Sequence, residues 1–92
     1  MLLPARTAVL NQMYGRKKYN VQEVMVQLKS QYGEEKQFNQ RLFSEHLMAL
    51  EANGLVELDS YNLDENDELL MYYIITEEGR KTVDKYVDKA YR

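Results

Sequence analysis

The 92-residue sequence predicts an α+β domain, mainly α, in which three helices precede a two-stranded hairpin and a fourth helix. Three observations carry that expectation. Apolar residues recur at helical spacing up to Asn53-Gly54. Beyond it, two short strand-like runs, 55–61 and 69–75, flank a polar segment, 62–68. After Thr76 a helical pattern resumes, to about residue 91.

Pro4 suits the first residue of a helix, where its missing N–H costs nothing, and Val9, Leu10, Met13 and Tyr14 follow at helical spacing before Gly15. Arg16-Lys17-Lys18-Tyr19 is a basic connector, either a solvated loop or a phosphate contact. Asn20 and Glu23 have the spacing of a capping box. Val21, Val24, Met25, Leu28 and Tyr32 then form one apolar stripe, closed by Gly33. After the polar turn Gly33-Glu34-Glu35-Lys36-Gln37, Asn39 is placed to cap the third helix, and Phe38 can staple onto Phe43. In that helix Phe43, Leu47 and Leu50 share one face, with Leu42 and His46 beside it. Gln40, Arg41, Ser44, Glu45 and Met48 lie largely away from it.

The first strand places Val56 and Leu58 on one side and Glu57 and Asp59 on the other. The second is apolar on both faces, so its outer face needs cover from the tail or from a partner chain. Thr76 suits an N-cap, with Glu77 and Glu78 in the favourable first turn. Val83, Tyr86, Val87 and Ala90 then form a narrow stripe, with Lys81, Lys85 and Lys89 on another side.

Helix, turn, helix, hairpin and helix in this order predict a single winged helix-turn-helix domain over 1–92, with the helix-turn-helix over about 20–53 and the wing over about 55–76. The run Leu47-x-x-Leu50-Glu51-x-x-Gly54-Leu55-Val56, followed by Tyr73-x-Ile75-Thr76-x-x-Gly79-Arg80, resembles the PadR and MarR families of bacterial transcription regulators. The resemblance implies double-stranded DNA as partner and a homodimer, with Val83, Tyr86, Val87 and Ala90 as the seam. Two recognition helices would then sit ~34 Å apart on a palindromic site. The candidate DNA contacts are Arg16, Lys17, Lys18, Lys36, Asn39, Gln40, Arg41 and Ser44. In the major groove Arg pairs with guanine, and Asn or Gln with adenine.

Charge supports a second reading. The net charge is -3 and the pI near 5.1, whereas a nucleic-acid binder is ordinarily basic. Residues 1–41 carry seven Lys or Arg against three acids, and residues 80–92 five against two. Residues 42–79 carry ten acids and no Lys or Arg. A DNA surface must therefore come from the first 41 residues or the tail. The alternative is a winged-helix protein-interaction module (an antirepressor, an adaptor or a replication-complex subunit) whose acidic wing, Asp64, Glu65, Asp67 and Glu68, meets a basic protein. Met48 on the recognition face also suits a protein contact.

Enzymatic chemistry is not expected. His46 is the single histidine, cysteine is absent, and no glycine-rich phosphate loop or G-x-S-x-G occurs. The tip Asp64-Glu65-Asn66-Asp67-Glu68 lacks the ligand spacing of an EF-hand, so neither metal nor cofactor is expected. The apolar runs are too short to span a bilayer, and the opening residues do not read as a signal peptide. A cytoplasmic protein without membrane contact is the expectation.

Overall fold

The computed structural model describes residues 3–15, 17–36 and 38–87. Its elements are α1 (Ala5–Gln12), α2 (Val21–Tyr32), α3 (Gln40–Ala52), β1 (Val56–Leu63), β2 (Leu69–Ile75) and α4 (Glu77–Tyr86). This is the expected α+β winged helix-turn-helix. Pro4 stands one residue earlier than expected, as the extended N-cap of α1.

Short-range chemistry sets the helix ends. Asn20 Oδ1 accepts the Glu23 N–H at 2.8 Å while Glu23 Oε1 accepts the Asn20 N–H at 2.9 Å, a complete capping box on α2. Asn39 Oδ1 accepts the Leu42 N–H at 3.0 Å, and the Phe38 ring meets Phe43 edge-on at 5.2 Å, the staple anticipated for α3. At the other end of α3, the Leu55 N–H donates to the Leu50 carbonyl and the Gly54 N–H to that of Glu51. This Schellman closure needs a left-handed residue, and Gly54 supplies it at φ 75°.

The two halves of the family-like motif meet in space. The Thr76 hydroxyl donates to the Gly54 carbonyl at 2.7 Å and accepts the Gly79 N–H at 3.0 Å, while the Thr76 N–H donates to the Leu55 carbonyl at 3.0 Å. A β-carbon on Gly79 would collide with that same Leu55 carbonyl and with Ile75 Cγ1. Glycine at 79 thus lets α4 start directly against the turn where α3 ends.

Val9 of α1 and Met13 at its C-cap, Val24 of α2, Phe43 and Leu47 of α3, and Val56 of β1 are almost fully enclosed. Tyr73, Ile75, Val83 and Val87 complete the same core. Each such side chain contributes about 1.5–3 kcal/mol relative to exposure. The face of α4 expected to form a dimer seam is therefore divided. Val83 and Val87 pack inside their own chain and have no free surface for a second copy, whereas Tyr86 is exposed. Ala90 lies outside the described residues.

The wing is longer than the sequence pattern suggests. β1 continues to Leu63, and the tip shrinks to residues 64–68. There Asp64 Oδ1 accepts the N–H groups of Asn66 and Glu68, and Asp67 adopts φ 60°. The strands are antiparallel, with Val56 opposite Ile75 and Leu63 opposite Leu69, and the register shifts between Leu58 and Ser60. Leu58, placed by the alternation on the same side as Val56, is exposed while Val56 is buried. A further pairing was not anticipated from the basic connector. Tyr19 and Tyr73 exchange both backbone hydrogen bonds, at 2.9 and 2.8 Å, pinning the connector to the outer edge of β2.

Candidate nucleic-acid interface

Burial of Phe43, Leu47 and Leu50 orients α3, so that Gln40 and Arg41 stand exposed in its first turn and Ser44 is half-buried one turn on. Glu45 and Met48 are exposed on the same helix. Ser44, Gln40 and Met48 share a groove with the first turn of α2 (Val21, Gln22) and with Leu69 and Met71 of β2. Helix α3 therefore faces an apolar strand edge across a cleft of about 110 Å³.

The expected DNA contacts fall into separate patches. Lys17 and Lys18 are exposed on the connector beside the wing, and Lys36 is exposed in the turn between α2 and α3. Arg16 lies outside the described residues. Two of the bases already face a carboxylate. Lys18 Nζ is 4.0 Å from Asp59 and lies 5.3 Å over the Tyr72 ring, and Arg41 is 3.9 Å from Glu45 one helical turn on. These are exposed pairs and weak, worth about 0–1 kcal/mol, but they lower the local positive potential. Lys17 instead stands 5.9 Å over the Tyr19 ring.

The expectation for Asn39 needs correction. Its Oδ1 is engaged in capping α3, so it cannot pair bidentately with adenine while the helix keeps its cap. Gln40 remains unencumbered by any such role. The sequence reading also missed Asp59 and Tyr72 as neighbours of Lys18. Both follow from the Tyr19–Tyr73 pairing, for which the sequence offers no local signal.

His46 has the half-packed position its helical phase implies. Its Nδ1 accepts from Arg6 Nε at 3.3 Å, and its ring lies edge-on to Phe43 at 5.4 Å. Burial, then the Arg6 charge, lowers its pKa below 6.5, with Glu45 opposing. Burial, then Glu51, raises the pKa of the Tyr73 hydroxyl. Among the described residues no cluster of three His, Asp or Glu side chains is disposed to hold a metal ion, and no helix is long and apolar enough to cross a membrane.

Neither the protein-family models nor the curated proteins compared with this chain match it.

Proposed function

We propose that this chain is a small winged-helix DNA-binding regulator of the PadR and MarR kind, acting in the bacterial cytoplasm as a homodimer. The observation that supports it is the first turn of α3. Gln40 and Arg41 project outward from a helix held in phase by its buried face, its Asn39 cap and the Phe38–Phe43 staple. Rigid presentation of side chains that can read base edges is what a recognition helix requires. Lys17, Lys18 and Lys36 serve phosphates. The acidic wing tip stays away from the duplex.

Fluorescence anisotropy of a mixed-sequence duplex over a salt series tests this. If Lys17, Lys18 and Lys36 all reach phosphates, the logarithm of affinity falls with that of salt at a slope of about −2.7 per chain. Lys17→Glu together with Arg41→Glu abolishes binding. No binding at low salt, or binding that ignores this double reversal, rejects the proposal. Analytical ultracentrifugation at micromolar concentration tests the dimer independently.

A specific observation favours the protein-interaction reading as the second. The wing carries Leu63 and Leu69, exposed and opposite each other, immediately beside the acidic tip. Exposed apolar side chains ringed by like charge suit a protein partner of opposite charge. Glu65→Gln with Glu68→Gln weakens such a partnership and leaves DNA affinity unchanged or higher. Asp64 is unsuitable for this test because its carboxylate builds the turn.

A further inference from the structure

β2 is paired with β1 along one edge only. At its other edge Tyr73 is engaged by Tyr19, and there the pairing stops. In an antiparallel strand alternate residues turn their N–H and C=O groups to the same side. Leu69 and Met71 therefore direct theirs to the edge that Tyr73 uses, and among the described residues no backbone group meets them there. Folded proteins protect such edges with Lys, Pro, a bulge or a covering element. The run Leu69-Leu70-Met71-Tyr72 contains neither charge nor proline, and the register shift lies on β1. The edge opens onto the cleft beside α3, whose apolar lining includes Leu47, Met48, Leu69, Met71 and Tyr73.

We propose that this edge is a β-augmentation site: an extended segment of another protein continues the ladder that Tyr19 begins, pairing with Leu69 and Met71 and seating one apolar side chain in the cleft. A cleft of about 110 Å³ suits one aliphatic side chain, since an apolar cavity of ~150 Å³ accommodates a benzene ring. Backbone hydrogen bonds supply affinity in this mode and the side-chain pocket supplies selectivity. Charge identifies the occupant. No Lys or Arg lines the cleft, and among the charged residues next in sequence to its lining Glu23, Glu45 and Glu68 outnumber Arg41, which already pairs with Glu45. The segment therefore carries Lys or Arg beside its apolar anchor. A second copy of the wing is a poor occupant, because it would bring two base-free acidic blocks together. This site does not depend on DNA binding. When filled, it covers Gln40 and Ser44, which the proposed DNA footprint also uses.

The probe is a fluorescent peptide, Lys-Lys-Val-Ser-Val-Lys-Lys. Its controls are the same peptide with Glu for every Lys, and the same peptide N-methylated on its three central amides. Anisotropy measures affinity on the full chain, and ¹H–¹⁵N correlation spectra map the site. The basic peptide binds with at least about tenfold higher affinity than either control. Its addition shifts the Leu69 and Met71 amides and slows their exchange. Leu69→Lys, on an exposed side chain, lowers affinity about tenfold while the circular dichroism spectrum is unchanged. Absence of binding overturns the proposal. So does equal binding of the acidic or N-methylated peptide, or shifts confined to other surfaces. Concentration-dependent self-association that protects the same two amides would also overturn it, by assigning the edge to a second copy. Duplex anisotropy is read separately, so failure here and failure of DNA binding are distinguishable.

Discussion

The two ends of the wing hairpin have similar side chains and opposite fates. At its base Val56 faces Ile75, and the pair is 1% and 3% exposed. At its far end Leu63 faces Leu69 on the same side of the ladder, and that pair is 58% and 57% exposed. Both pairs are aliphatic, and hydrophobicity does not distinguish them. The difference lies in what stands opposite. The base lies over the helices and is tied to the end of α3 through Thr76 and Gly54, whereas the far end only borders an open cleft and has four acids around its tip. A strand's alternation states which residues share a face, and only the packing of the whole chain states how far that face is covered.

The sharpest way to break this comparison is to truncate both ends. Ile75→Ala should cost about 3 kcal/mol in urea denaturation, as a buried aliphatic side chain is lost and a cavity remains. Leu69→Ala should stay within about 0.5 kcal/mol, as for an exposed site. Equal losses would mean that the far end is covered in solution. Gly79→Ala probes the tie at the base. Its new β-carbon meets the Leu55 carbonyl rather than a movable side-chain end, so a loss of about 2 kcal/mol is expected. Thr76→Ala removes the hydroxyl that caps α4 and holds the Gly54 carbonyl, and should cost about 1 kcal/mol, with Asn39→Ala similar on α3.

The smallest effect is a pH dependence. His46 has a folded pKa below its unfolded value near 6.5, so the unfolded chain binds more protons in the window between them. Its contribution to stability is complete above pH about 6.5 and declines as pH falls through the folded value. The melting temperature should therefore decrease slightly on acidification through that window. His46→Gln should remove this component. A melting profile identical to wild type in that variant would assign the pH response elsewhere.

Much of the architecture was legible because its determinants are local. Asn20 with Glu23, Asn39 with Phe38 and Phe43, Asn53-Gly54, and Thr76 with its two glutamates each mark a helix end within a few residues. The candidate site was legible in part. The helical phase of Phe43, Leu47 and Leu50 put Gln40, Arg41 and Met48 outside, as found. The capping role of Asn39 was visible too, and it should have removed that residue from the base-reading set.

What the amino-acid sequence by itself determined is the order of elements, their caps, the phase of α3 and the segregation of charge along the chain. Each depends on spacing or on composition, and neither changes on folding. Only the tertiary structure decided that Val83 and Val87 belong to the core, that Tyr19 seals part of the β2 edge, that Lys18 meets Asp59, and that Leu69 and Met71 border an open cleft. These depend on contacts between residues far apart in the chain. An apolar side chain carries the same signal in sequence whether a neighbour finally covers it or leaves it bare.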